Sequence, residues 1–161
     1  MTRSEITALL KDATLSYWAH KRYSCFNEIA VNRWGKLRAD VLAVSMKGEV
    51  VLSEVKSSRA DYLGDTKWRE YTKYCDRMYF VLLPKTFHSL KVQLLKDLKG
   101  SGVGVMVLDP TTGYLSNVIS AKRQTLEEDI RWSLVIRMAW RSGISRRTRS
   151  RRIRHFLPTK E

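Results

Sequence analysis

The residues of this sequence best suited to act together chemically are Asp40, Glu54 and Lys56. Two carboxylates offer hard oxygen ligands to a divalent ion such as Mg2+ or Mn2+. An ion held this way activates water and offsets charge that builds on a phosphodiester under attack. A neighbouring ammonium orients the nucleophile or steadies the transition state. Asp40 and Glu54 fit the ligand roles, Val55 can add its backbone carbonyl, and Lys56 fits the ammonium role.

Such a site requires the three side chains to share one face. Arg38 to Ser45 and Glu49 to Lys56 read as two Val/Leu-rich strands around Met46-Lys47-Gly48. A three-residue loop with Gly48 at positive φ pairs Ser45 with Glu49. The same register sets Asp40 directly across from Glu54, with Cβ atoms about 5 Å apart. Lys56 joins Glu54 on that face because side chains alternate with a period of two. A two-residue loop would put Asp40 opposite Val55 and scatter the group. The bland alternative is that Glu-x-Lys is a common tripeptide and that strands often end in solvated charges. Against it stand three charged groups on otherwise apolar strands, where a central strand facing helices would avoid them.

The remaining elements supply the frame. Ser4 to His20 reads as a helix capped by Ser4 or Thr2, with Glu5 in its first turn. Ser24 to Asn32 reads as a strand, followed by a turn at Trp34-Gly35-Lys36. Ser57 to Gly64 reads as a polar connection, and Asp65 as the N-cap of a helix from Thr66 to about Tyr74. Lys67 and Tyr71 lie four apart on that helix. Arg77 to Leu83 is a buried-type strand, expected to pair parallel to the Glu54 strand through a right-handed crossover. A helix carrying Phe87, Leu90, Leu94, Leu95 and Leu98 follows, closed by Gly100. Val103 to Leu108 is a strand, Asp109 to Gly113 a turn, and Tyr114 to Ile119 an edge strand. Thr125-x-x-Glu128 resembles a capping box opening a last helix with Leu126, Ile130, Leu134 and Met138.

The order helix, strand, strand with Asp40, strand with Glu54-Val-Lys56, helix, strand resembles the core of the PD-(D/E)XK, or restriction-endonuclease-like, nucleases. Arg38-Ala-Asp-Val41, Gly48-Glu49, Glu54-Val-Lys-Ser-Ser58, Ala60-Asp61, Lys67-Trp68-x-Glu70-Tyr71, Cys75-Asp-Arg77 and Tyr79-Phe80 are similar to the MmcB family of DNA-repair endonucleases. The likeness spans roughly residues 24 to 109. It implies an α/β fold with an αβββαβ core, a mixed sheet flanked by helices, a C-terminal helix and a basic tail. It assigns Asp40 and Glu54 to metal and Lys56 to catalysis. It also sets Lys67 and Tyr71 where related nucleases carry Gln-x-x-x-Tyr, touching DNA or ordering the site. The superfamily's proline before the aspartate is Ala39 here. Resolvase-like relatives carry one more acidic ligand, for which Glu5 is the candidate by element order and Glu28 by proximity to the hairpin. For Glu5, plain helix-dipole stabilisation is an equal alternative. Asp61 and Asp65 read as turn and cap residues, while Trp68 and Tyr71 fit a core as well as a site.

Length and composition fit one domain over residues 1–141, its last helix at about 125–141, with an Arg-rich tail at 142–161. Cys25 and Cys75 form no metal-ligand spacing and read as reduced thiols. No apolar run approaches a membrane-spanning length, and the N-terminal residues lack a secretory layout, so a cytoplasmic protein of a bacterial or phage-infected cell is expected. The net charge of +14 favours a polyanion as partner. From Ala121 to Glu161 there are 12 Lys and Arg against 4 Asp and Glu, a net +8, which leaves +6 for the first 120 residues. Arg146, Arg147, Arg149, Arg151, Arg152 and Arg154 make the tail a candidate grip on DNA phosphates. With no base-reading module in sight, backbone or shape recognition of double-stranded or branched DNA is expected. A homodimer would favour paired cuts.

Together these residues predict a Mg2+- or Mn2+-dependent DNA endonuclease acting in DNA repair, recombination or phage DNA processing. The rivals are a non-catalytic DNA- or RNA-binding protein that keeps the fold, and a structure-specific resolvase, flap endonuclease or exonuclease.

Overall fold

The computed structural model describes residues 1–142. Helix α1 (Arg3–His20) leads into three strands, β1 (Tyr23–Ala30), β2 (Arg38–Ser45) and β3 (Val50–Lys56). Two short helices follow, α2 (Arg59–Gly64) and α3 (Trp68–Tyr71), the latter running on into a 3-10 turn at Thr72–Tyr74. Then come β4 (Arg77–Leu82), α4 (Pro84–Asp97), β5 (Gly104–Leu108), β6 (Leu115–Ile119) and α5 (Glu128–Ser142).

The six strands form one sheet in chain order. β1, β2 and β3 are antiparallel neighbours, β3, β4 and β5 run parallel, and β6 returns antiparallel along the edge. This is the mixed, helix-flanked α/β sheet that the strand pattern predicts. One face packs Val50, Leu52, Met78, Phe80 and Leu82 against Tyr62, Trp68, Leu90, Leu94, Leu134 and Met138 from the later helices. The other packs Val51, Val55, Tyr79 and Val81 against Leu10 and Trp18 of α1. Every residue of β3 is buried, as a strand covered on both faces must be.

The β2–β3 loop forms as its glycine predicts. Gly48 has φ 80, a conformation that costs a residue with a Cβ. Its N–H donates to the Ser45 carbonyl at 2.9 Å, and the Ser45 N–H donates to the Glu49 carbonyl at 3.0 Å. The ladder beyond pairs Val44 with Val50 and ends with Val41 and Ser53, and one step further the same register sets Asp40 across from Glu54, whose Oε1 accepts the Asp40 N–H.

Four local expectations need correction. Residues 59–64 are helical rather than a plain connection: Ser58 caps the Asp61 N–H at 3.2 Å, and only Tyr62 is buried, so no apolar period marks the helix. The next helix starts at Trp68 and not Thr66, because Asp65 accepts the Lys67 N–H in a local turn and sits in extended backbone after α2. α5 opens at Glu128, three residues past Thr125, with Leu126 already buried ahead of it. Leu95, expected on the inner face of α4, is exposed, while Leu90 and Leu94 carry the packing.

Candidate active site

β2 and β3 bring Asp40 and Glu54 together at the carboxyl end of the parallel strands, where open α/β sheets present their sites. The contacts are reciprocal. The Asp40 N–H donates to Glu54 Oε1 at 3.1 Å, and the Val55 N–H donates to Asp40 Oδ2 at 3.0 Å. Each carboxylate is therefore oriented by the other's strand. Lys56, the last residue of β3, shares the face: its Nζ lies 3.8 Å from Glu54 Oε2 and 2.6 Å from Asp65 Oδ2. The ammonium also sits 5.9 Å from the ring of Phe80, the residue across from Glu54 on β4.

Below Glu54 the floor is aromatic, with Tyr62 and Trp68 packed edge-on against Phe80 at 5.2 and 5.6 Å. Burial and the Asp40 charge raise the Glu54 carboxyl from its ordinary 4.5 up to about 8, against the pull of Lys56. A folded-state value above the ordinary one means that Glu54 favours the fold most below that ordinary value, and that this contribution is lost as pH rises through about 8. The metal-free protein is therefore expected to lose melting temperature between about pH 4.5 and about pH 8, and Glu54→Gln to lose less. Parallel melting profiles for the two proteins would contradict this.

Two residues that did not stand out in the sequence complete the site. Lys11 of α1 bridges two acids, touching Glu28 Oε1 and lying 3.0 Å from Asp40 Oδ1. Burial works against its ammonium, but the two carboxylates outweigh it and raise its pKa. Its signal in the sequence was slight, a lysine beside Leu10 and three residues from Thr14, both on the buried stripe of α1. Asp65, read as a cap, holds the Lys56 ammonium as well. Lys56, Asp61, Asp65, Ala60, Gly64 and Arg3 line an open cleft of about 300 Å³ beside it.

The remaining sequence candidates divide. Glu5 closes a capping box with Thr2, accepting the Thr2 N–H at 2.6 Å, so its carboxylate serves the helix end. Glu28 faces Asp40 across the β1–β2 ladder, with Lys11 between them. Tyr71 is buried, and its hydroxyl donates to the Arg38 carbonyl at 3.0 Å, which fastens the start of β2 behind Asp40. Burial and the Glu54 charge push its pKa up and keep it a donor. Lys67 is exposed at the start of α3, so it does not share an environment with Tyr71. Asp61, read as a turn residue, lies instead in the first turn of α2, where it accepts from the Ser57 N–H and hydroxyl and pairs with Arg3. Cys25 and Cys75 are free thiols, both raised in pKa by burial. The six tail arginines, Arg146, Arg147, Arg149, Arg151, Arg152 and Arg154, lie outside the described residues.

Among the described residues, no group of three His, Cys, Asp or Glu side chains is placed to hold a metal ion. A divalent ion would therefore rest on Asp40 and Glu54, with the Val55 carbonyl as a backbone donor. The donor set suits a hard cation. The buried Glu54 has one oxygen with no cation nearer than 3.8 Å, which an ion would satisfy.

The sequence matches the family described as "DNA repair protein MmcB-like" over residues 1–151. The chain belongs to the MmcB-like family. Membership carries a DNA-related function with it. Among solved structures, the MmcB-like chain is similar to a protein of unknown function from Silicibacter pomeroyi, at 25% identity and a TM-score of 0.68, with 94% of each chain covered. It is also similar to an XisH family protein from Nostoc punctiforme, at 14% identity and a TM-score of 0.48, covering 70% of this chain and 99% of that one. No curated protein matches the sequence. No helix among the described residues is long and apolar enough to cross a membrane.

Proposed function

We propose that this MmcB-like protein is a Mg2+- or Mn2+-dependent deoxyribonuclease, an endonuclease used in DNA repair. The observation that carries the reading is the opposition of Asp40 and Glu54, each hydrogen-bonded to the other's strand, with Lys56 on the same face. Asp40, Glu54 and the Val55 carbonyl would hold the ion, which when bound supplies Lewis acidity at the scissile phosphate. Lys56 stands ready to donate to a phosphate oxygen or an attacking water, and Asp65 fixes where its ammonium points. The aromatic floor under Glu54 keeps bulk water from the buried side and strengthens each charge interaction above it. Lys67 and the arginine tail are the candidate contacts to the DNA backbone, in keeping with the +14 net charge.

A second reading has an observation of its own. Lys11 and Lys56 already answer the charges of Asp40 and Asp65, so the fold could bind DNA without turnover. Incubating linear, nicked, branched and single-stranded DNA with Mg2+, Mn2+ or chelator separates the two. Cleavage of at least one form, dependent on the divalent ion, is expected. DNA binding with every form left intact would favour the non-catalytic protein.

A further inference from the structure

Glu28, Asp40 and Glu54 lie in one row across β1, β2 and β3. The pairs Asn27–Val41 and Ile29–Ala39 bracket Glu28 opposite Asp40, and the β2–β3 register sets Asp40 opposite Glu54. Three neighbouring carboxylates repel one another, and the fold answers them with lysines. Lys56 is held by Asp65 at 2.6 Å and stands at the Glu54 end. At the other end, Lys11 fills the space between Asp40 and Glu28, with only 15% of its side chain exposed. The backbone is shaped to suit: Glu28 adopts φ 50, a left-handed conformation rare for a residue with a Cβ, at the point where the β1–β2 pairing skips it.

We propose that Lys11 is a positioning residue that acts as a built-in cation, aligning Asp40 and Glu28 while weakening the hold of Asp40 and Glu54 on a divalent ion. The inference rests on the metal-binding reading given above. An ion arriving at Asp40 meets a carboxylate whose Oδ1 already faces an ammonium and whose Oδ2 already accepts the Val55 N–H. The ion and the ammonium are like charges on one small group. Binding the ion therefore costs either repulsion or the displacement of Lys11 towards Glu28. A lysine serving only to fasten α1 to the sheet would leave ion affinity unchanged when replaced.

The test is calorimetric titration of Mn2+ alone into the full chain, without DNA. Lys11→Met keeps the aliphatic stem and removes the charge, and should bind Mn2+ on the order of tenfold tighter than the unaltered protein. Lys11→Gln, which keeps a donor for Asp40, should tighten binding likewise if the methionine variant does not fold. Lys11→Arg should bind as the unaltered protein does. Equal or weaker binding by both neutral variants would overturn the role of Lys11 and leave the metal site standing. If neither the unaltered protein nor the neutral variants take up Mn2+ in a way that Asp40→Asn abolishes, the metal site itself fails, and the role of Lys11 with it.

Discussion

Asp76→Ala should lower the free energy of unfolding by about 3 to 5 kcal/mol, the cost of breaking a buried ion pair by removing one partner. Asp76 sits between β4 and α5 with its carboxylate almost wholly buried. It accepts from Arg131 Nη1 at 2.7 Å, from Nη2 at 3.0 Å and from the Val50 N–H at 2.7 Å. Burial alone would raise its pKa, but the Arg131 hydrogen bonds and the Val50 N–H lower it. A lowered value gives stability above the ordinary carboxylate range, lost as pH falls through it. Arg131 also donates to the Gly48 carbonyl at 2.6 Å, so one guanidinium ties α5 to the loop that sets the Asp40–Glu54 register. Denaturant unfolding of Asp76→Ala and Asp76→Asn measures the effect. The asparagine variant should lose less, since its oxygen can still accept the Val50 N–H. A loss under about 1 kcal/mol for alanine would mean that the pair behaves as a solvated surface bridge.

The hairpin was legible because its information is local. Gly48 dictates the loop, the loop dictates register, and register with a period of two dictates which side chains meet. The parallel pairing of β3 and β4 followed from the helical segment between two apolar runs. Residues that reach the site from a distance were harder to see. Lys11 arrives from α1 and stands 29 positions before Asp40, and no periodicity marks a lysine next to a buried stripe as an ion-pair partner. Asp65 showed its local turn, which depends on neighbours in sequence, but not its grip on Lys56, which depends on how α2 folds back. α2 itself was hidden because a six-residue helix with one buried side chain leaves no apolar pattern. Glu5 shows the converse: element order offered it as a ligand, but a threonine three residues earlier claims it as a cap.

The largest functional effect is expected at the paired carboxylates. Asp40→Asn and Glu54→Gln keep size and much of the hydrogen bonding, since each amide oxygen can still accept the backbone N–H that its carboxylate accepts now. What they remove is the charge that would hold a divalent ion. Cleavage should fall by at least about a thousandfold in either variant, equivalent to roughly 4 kcal/mol of transition-state stabilisation. DNA affinity should stay within about threefold, because the phosphate grip is assigned to lysines and arginines elsewhere.

Conversion of supercoiled plasmid in the presence of Mn2+, followed for the unaltered protein and for Glu54→Gln purified in the same way, tests the central claim most directly. Nicked or linear product from the unaltered protein, absent with chelator and absent with the variant, is the expected result. Equal conversion by both proteins would contradict the assignment of Glu54. No conversion by the unaltered protein, on plasmid or any branched or single-stranded DNA, would contradict nuclease activity altogether.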